Sequence, residues 1–535
     1  MTRPFTLSWL AGCPDARTFL ALHFLDPAAR KAAVTRAARP IAAPVLDALR
    51  RQNPLASSAG SLATLASGEA VVAVTGQQTG LFLGPLYVLH KAATAIRVAR
   101  ALAEETGRHV VPVFWLQTED ADFEEIRSTR LPDASRDGVT LTLGDALAAH
   151  PDGHRIPVAH RPLGASVDEA LAVVEAIIGG DRHGDAVYAL LRQHYRAEAH
   201  IPEAFAGLLM ELFADHGLLV FDPRDPLLTA EAGRFFAQAL EATPAVDAAL
   251  QARVSALEAA DFKAQVPVRP GASLLCFQPD SAEGPRYRLC ADGDDFLLAG
   301  RADPRVSRAT ISDALRDDPR RFSTTALLRP AFQDFLLPTA AYVGGPGEIA
   351  YYAEMEPVYA GLGLVAPLII PRARLRLVSP AIRRVAGHLG VDLSGPLDVA
   401  VLLERLTPQA TEDLTTLRQA AGTAFDAYLN ALAAATPALE GQDAGLNKAT
   451  DRARYQVQRQ LDRLDGRFGR ARIRSDSMLQ QRLDRLLGEL VPDGAPQERV
   501  LNFATYAARV GAKALADAIV EAATPYEHQL KDVNL

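Results

Sequence analysis

Apolar positions along this chain follow two rhythms, and the change between them near residue 380 organises the molecule. Before that point, short unbroken apolar runs alternate with stretches of helical period. The strand-like run Val71–Thr75 ends in the polar turn Gly76-Gln77-Gln78-Thr79-Gly80, and a helical pattern runs from Pro85 to Glu105. A second apolar run, Val110–Leu116, ends in Gln117-Thr118-Glu119-Asp120. Strand, turn, helix and strand in that order predict a βαβ unit of a parallel sheet. Further runs at Gly217–Phe221, Ala340–Val343 and Ala366–Ile370 predict three more parallel strands. Helices are expected over Pro202–Asp215 and about Gly347–Ala360.

Two connections are too long for simple crossovers. Residues 131–200 carry a strand signal at Val139–Leu143 and helical patterns near Val167–Ile178 and Asp185–Arg196, so a mainly helical insertion is expected. Residues 264–323 hold alternating runs at Leu274, Tyr287 and Phe296 with the turn Ala291-Asp292-Gly293-Asp294, which predicts a small antiparallel insertion. Beyond Pro380 the strand signals vanish. Leu414, Leu417, Ala421, Phe425, Tyr428 and Leu432 step by three and four, as do Val457, Leu461, Leu464, Phe468 and Ala471. These are the seam positions of a helix pair, with Pro437 and Gly441 at its turn. The expected organisation is a discontinuous α/β core over 1–380, insertions at 131–200 and 264–323, and a helical domain over 381–535. A hairpin of this kind buries both faces best against a second copy, which predicts a homodimer. The arginines of its second helix, such as Arg452 and Arg459, read as a solvated face.

Composition changes this picture little. Of 535 residues 49% are hydrophobic, which suits a large core and more than one domain, and the net charge is −8. A chain without basic excess is a poor partner for nucleic acid. Three cysteines, none in a CxxC pair, offer neither a disulfide framework nor a structural zinc site. The N-terminus lacks a signal-peptide pattern and no apolar stretch reaches membrane length, so a cytoplasmic protein is expected.

Candidate chemistry gathers where ligands bind parallel sheets, at the carboxyl ends of the strands. Gly76, Gly80 and Gly84 would let backbone approach a ligand, and the helix after Gly84 would offer free N–H groups to an anion. The loop is neither GxGxxG nor a Walker A motif. Adjacent amides at Gln77 and Gln78 favour binding. Tyr87 and Lys91 share a helical face one turn in, with Lys91 either a candidate for phosphate or carboxylate or, as the pattern alone favours, a lysine snorkelling off the helix surface. Glu119, Asp120 and Asp122 follow Trp115 off the second strand and could receive an amine, sugar hydroxyls or Mg²⁺; helix capping is the equal alternative. Gly344, Gly345 and Gly347 form a second glycine-rich turn on the same rim, opening a helix at Glu348. No Ser/His/Asp or Cys/His hydrolase constellation is present.

Five segments, TGQQTGLFLGPLYVLHKAATAI, VPVFWLQTEDADFEEI, LFADHGLLVFDPRDP, LLRPAFQDFLLPTAAYVGGPGEIAYYAEMEPVY and PQERVLN, together resemble the bacillithiol-biosynthesis cysteine-adding enzymes, a family of cysteine ligases. The resemblance implies a Rossmann-type core with two connecting-peptide insertions and a C-terminal coiled coil used for dimerisation. It implies addition of L-cysteine to glucosaminyl-malate through an activated carboxyl, with ATP or another nucleotide, and Mg²⁺ alongside ATP, as cofactors. Lys91, Glu119, Asp120, Asp122 and Glu348 are then the expected catalytic groups. Trp115 and Arg329 join the glutamines, glycines and Tyr87 as expected binding residues. HIGH and KMSKS motifs are absent, so nucleotide use rests on analogy. Rival readings are a different amino-sugar or nucleotide-sugar transferase on this scaffold, and a non-catalytic scaffold protein of the pathway.

Overall fold

The runs flanking the glycine- and glutamine-rich turn become β1 (Val71–Gln77) and β2 (Val110–Leu116), paired in parallel from Val71 opposite Val110 to Gln77 opposite Leu116. The chain then makes an antiparallel hairpin, β3 (Ser128–Leu131) and β4 (Val139–Thr142). β5 (Leu219–Phe221) returns to lie beside β2. A second sheet follows, formed by β6 (Ala272–Phe277), β7 (Tyr287–Asp292), β8 (Asp295–Leu298), β9 (Arg305–Val306) and β10 (Phe322–Thr324). Its order is β10-β6-β7-β8-β9 and its pairings are antiparallel. β11 (Thr339–Gly344) and β12 (Leu368–Pro371) complete the core sheet, ordered β12-β11-β1-β2-β5 and parallel throughout. This computed structural model describes residues 3–133, 137–410, 415–435 and 446–535.

Period-two alternation splits the core sheet between two apolar layers. On β2, Val113 and Trp115 pack into one layer, Phe114 and Leu116 into the other. Helix α1 (Tyr87–Thr106) links β1 to β2 and is buried along most of its length. A 31-residue helix, α2 (Thr229–Ala259), occupies a stretch for which the sequence pattern predicted no element. Pro244 lies inside it, and an internal proline ordinarily costs about 3 kcal/mol. Buried Phe235, Phe236 and Leu250 offset that cost. Next come α3 (Arg329–Leu336) and α4 (Pro346–Tyr352). The single helix expected over 347–360 is two, the second being Glu356–Gly361 with Pro357 in its first turn.

Helices α5 (Thr415–Ala435) and α6 (Leu446–Ser475) form the expected pair. Arg418 bridges them to Asp462 and, at 2.7 Å, to Asp465; Arg454 reaches Asp426 at 3.2 Å. Leu417, Tyr428, Leu464 and Phe468 are about half or more exposed along this pair. Leu414, Pro437 and Gly441 lie outside the described residues. The helical reading beyond residue 380 needs one correction. The chain ends in β14 (Leu530–Asn534), paired in parallel with β13 (Arg374–Val378). Only Leu530 and Val533 are apolar in that strand, and its pairing draws on an ion pair between Arg376 and Asp532 at 2.8 Å. The C-terminal segment also returns to the core: Asn502 Nδ2 donates to the carbonyls of Phe82 at 2.8 Å and Gly84 at 2.9 Å. Among the described residues no helix is long and apolar enough to cross a membrane.

Candidate active site

The strand register brings Gln77, Leu116, Gly344 and Pro371 to one edge of the sheet. From β1 the chain builds outward through β2 to β5, then crosses to β11 and β12 on the other side. That reversal is the topological switch point of a doubly wound sheet, where the crevice opens. A cavity of about 1090 Å³ sits there, bounded by the ends of β1, β2, β11 and β12, by α1 and α4, and by the antiparallel sheet.

Lys91 is the centre of one wall. Its ammonium is buried, donates to Gly76 O at 2.7 Å and Gln77 Oε1 at 2.9 Å, and lies 2.5 Å from Glu348 Oε2. Burial lowers the lysine pKa and the Glu348 carboxylate opposes that shift. For Glu348 burial acts upward, yet the net direction is downward. Lys91, the Tyr342 hydroxyl at 2.5 Å and the Gly345 N–H at 2.8 Å together outweigh it. Glu348 is also the third residue of α4, and by accepting from the N–H of Gly345 it satisfies one of the free donors at the start of that helix. Arg329 stands beside this pair, donating to Tyr351 OH at 2.9 Å and Tyr342 OH at 3.3 Å.

The β2 side of the cavity is acidic. Asp120 Oδ2 accepts from Gln78 Nε2 at 2.6 Å, and Asp120 Oδ1 accepts from the Ala121 N–H at 2.7 Å. Gln78 Oε1 is buried without a hydrogen-bond partner at the cavity wall. Partial burial, then repulsion from Asp120 and Asp122, raises Glu125 above its usual range. Glu119 is committed elsewhere, its Oε2 accepting from the Thr324 N–H at 3.1 Å and the Thr324 hydroxyl at 2.5 Å. It thereby fastens the end of β2 to β10. Asp122 caps the short helix Phe123–Ile126 through the Glu125 N–H at 3.1 Å.

Of the sequence-predicted residues, Gln77, Gln78, Tyr87, Lys91, Trp115, Glu119, Asp120, Asp122, Arg329, Gly345, Gly347 and Glu348 line this one cavity. Gly76, Gly80, Gly84 and Gly344 do not. A Cβ at Gly76 would meet Trp115 O at 3.0 Å, so that glycine lets β1 and β2 pack. Gly80 lies against Gly84 in the same way, and Gly84 has φ +64° and ψ −149°, a conformation reserved for glycine. Gly344 borders a neighbouring cavity of about 490 Å³. The α1 N-terminus, expected to receive an anion, is covered by the C-terminal segment: the Leu86 N–H donates to Leu501 O at 2.8 Å. One side of the helix, not its end, faces the cavity.

Sequence reading missed Arg286, Tyr351, Arg372 and Arg499, which also line it. Arg286 donates to Thr324 O at 2.7 Å and lies 4.0 Å from Asp120. Arg372 follows directly on β12, and its place at a strand's carboxyl end was a usable signal. It forms a buried ion pair with Glu498 at 2.7 Å. Burial, reinforced by Arg372, drives the His90 pKa far down, so that histidine is neutral in the core. No group of three or more His, Cys, Asp and Glu side chains poised for a metal occurs among the described residues.

Two family models match this chain. The bacillithiol biosynthesis BshC N-terminal Rossmann-like domain covers residues 4–373, and the bacillithiol biosynthesis BshC C-terminal coiled-coil domain covers residues 404–534. Three curated proteins bearing the name "Putative cysteine ligase BshC" are similar along most of their length. That of Salinibacter ruber is 32% identical over 487 residues, covering 90% of this chain and 87% of that protein. That of Symbiobacterium thermophilum is 32% identical, covering 88% and 85%. That of Koribacter versatilis is 31% identical over 465 residues, covering 86% and 84%.

Proposed function

This chain belongs to the BshC family of bacillithiol biosynthesis, a family of cysteine ligases, and from that premise we propose that it joins the carboxyl of L-cysteine to the amine of glucosaminyl-malate. The observation that carries the reading is the segregation of charge around one large cavity at the switch point. Lys91, Arg329, Arg372 and Arg499 outnumber Glu348 on the α1, β11 and β12 side, while Asp120, Asp122 and Glu125, with Arg286 beside Asp120, follow β2. Carboxylates of the malate moiety suit the cationic side. The ammonium of cysteine and the sugar amine suit the acidic side, where Asp120 can hold the attacking amine and Glu125, with its raised carboxyl, can take its proton.

Amide formation from a free carboxylate needs an activated acyl group, and we propose a nucleoside triphosphate as the source. The cysteine carboxylate would displace pyrophosphate or ADP from it. The amine would then attack the acyl carbon, expelling the nucleotide or phosphate and losing one proton. Arg329 is the residue suited to donate to phosphate and to the developing oxyanion, and Lys91, whose three N–H donors are taken by Gly76, Gln77 and Glu348, adds its charge. A divalent ion would enter with the phosphates and use their oxygens as ligands. Gln78 Oε1, buried and unpartnered, is an acceptor ready for a ligand N–H or O–H.

We also propose that the exposed apolar residues of α5 and α6, with Leu417 66% and Phe468 58% accessible, are covered by a second copy. The enzyme would act as a cytoplasmic homodimer. Mass spectrometry of purified protein with cysteine, glucosaminyl-malate and Mg-ATP, each omitted in turn, tests the reaction. A thiol product that needs all three, with AMP or ADP beside it, supports the proposal and identifies the activation step. Product formed without cysteine, or none under any condition, overturns it.

A further inference from the structure

Behind the wall that carries Arg329 lie three buried polar side chains, Gln333, Asp334 and Tyr359, that do not line the cavity themselves. Asp334 is 6% exposed and Gln333 0%. The Tyr359 hydroxyl donates to Asp334 Oδ2, and Gln333 Nε2 donates to Asp334 Oδ1 at 2.9 Å. Gln333 Oε1 in turn accepts from Arg329 Nη1 at 3.1 Å. Arg329 Nη2 reaches Tyr351 and Tyr342, and Tyr342 donates to Glu348. The line therefore runs from a buried carboxylate to the ion pair at the centre of the cavity.

We propose that Asp334 is a positioning residue for this cavity, acting through the amide of Gln333 to hold the Arg329 guanidinium in one orientation on the wall. The chemistry of the three groups leaves one arrangement. An ionised carboxylate only accepts hydrogen bonds and a guanidinium only donates them. A primary amide between the two must turn its NH₂ to the carboxylate and its oxygen to the guanidinium. Asp334 thus sets the sense of Gln333, and Gln333 directs one of the two terminal nitrogens of Arg329. Burial raises the Asp334 carboxyl to about 6, which leaves it an anion at neutral pH. The groups facing it are Tyr359, Tyr352, Gln333, Thr339 and Arg329, with Arg39 donating to its backbone carbonyl at 2.8 Å. A free arginine side chain samples many rotamers, and fixing it beforehand spares the binding step that entropy.

The inference rests on the reading of this cavity as the substrate site, and its test has one arm that does not. The rate of phenylglyoxal modification at Arg329, read by peptide mass spectrometry, needs no substrate. Asp334→Ala and Gln333→Leu should each raise that rate several-fold. Both should also raise KM for the anionic amine substrate about tenfold, the scale of one lost hydrogen bond to a charged group, with kcat changed less. Asp334→Asn, whose Oδ1 still accepts from Gln333, should remain near wild type in both readings. Unchanged labelling and KM in folded Gln333→Leu would overturn the proposal. So would an effect of Asp334→Ala that is accounted for by unfolding, seen as a lowered melting temperature with Gln333→Leu like wild type. If wild-type protein forms no product, the ligase reading fails and the labelling arm alone decides the relay.

Discussion

Lys91 Nζ lies 2.5 Å from Glu348 Oε2, joining the helix after β1 to the helix after β11 across the switch point of the sheet. Glu348 also accepts from the Gly345 N–H at the start of α4, but that one bond does not neutralise a buried carboxylate, and a buried ammonium is no better placed alone. Each is there because the other neutralises it, and the Tyr342 hydroxyl and Gly76 carbonyl complete their hydrogen bonds. Replacing Lys91 by Met leaves Glu348 short of its counter-ion, a change worth roughly 3–5 kcal/mol for a buried pair. Product formation should fall by about 100-fold or more, the scale of one lost charge-stabilising donor. The double variant Lys91→Met, Glu348→Gln should recover stability in urea unfolding and not recover activity. Recovery of both would make the pair purely structural.

The ion pair between Arg372 and Glu498 should behave differently. Both side chains are about 95% buried, and they connect β12 to the returning C-terminal segment. Glu498→Ala should cost about 3–5 kcal/mol in denaturant unfolding, because Arg372 keeps its charge in a buried site and loses its counter-ion. Joint replacement by Arg372→Met and Glu498→Leu should cost much less. Equal losses in the single and double variants would show that the charge is solvated.

Stability should depend on pH through Glu354. This side chain is fully buried and accepts from the N–H groups of Gln265 at 2.5 Å and Val266 at 3.2 Å. Burial nevertheless raises its carboxyl from 4.5 to about 7. A carboxyl raised on folding favours the protonated native state. Its contribution is complete below about pH 4.5 and is lost as pH rises towards 7. Relative to wild type, Glu354→Gln should therefore gain as much as roughly 3 kcal/mol between those limits, because each pH unit separating the folded and unfolded carboxyl is worth about 1.36 kcal/mol. Chemical denaturation of both proteins at several pH values reads this directly, and parallel curves would refute it.

The glycines off the cavity wall should affect folding more than binding. Gly84→Ala forces a side chain into a glycine-only conformation, and a loss of about 1–3 kcal/mol is expected. Gly76→Ala meets the Trp115 carbonyl, with a similar overpacking penalty of about 1–3 kcal/mol. Ligand affinity per folded molecule should change little in either. A large affinity loss at full stability would return both to the binding surface.

Placing Glu at Leu417, Tyr455 and Phe468, all more than half exposed, should give a monomer by light scattering with its melting temperature nearly unchanged. A persistent dimer would locate the interface elsewhere.

Much of this architecture was legible in the order of residues. Apolar runs ending in glycine, proline, amide or carboxylate located the core strands to within two residues, because burial on both faces demands unbroken apolar sequence. The same logic placed Gln77, Gln78, Lys91, Asp120 and Glu348 on one rim. Helix α2 and strand β14 escaped it. An internal proline disguised the first, and cross-strand charge rather than apolar alternation holds the second.

Sequence by itself therefore determined the parallel core strands, the alternating runs of the antiparallel sheet, the helix pair and which loop ends share the cavity, since each follows from local period and turn chemistry. Only the tertiary structure decided how those groups are used. Glu119 became a tie to Thr324, the α1 N-terminus was covered by Leu501, and Arg286, Arg372 and Arg499 arrived from distant segments. Such partners are chosen by through-space electrostatics and hydrogen-bond satisfaction in a buried site, and neither leaves a periodic mark along the chain.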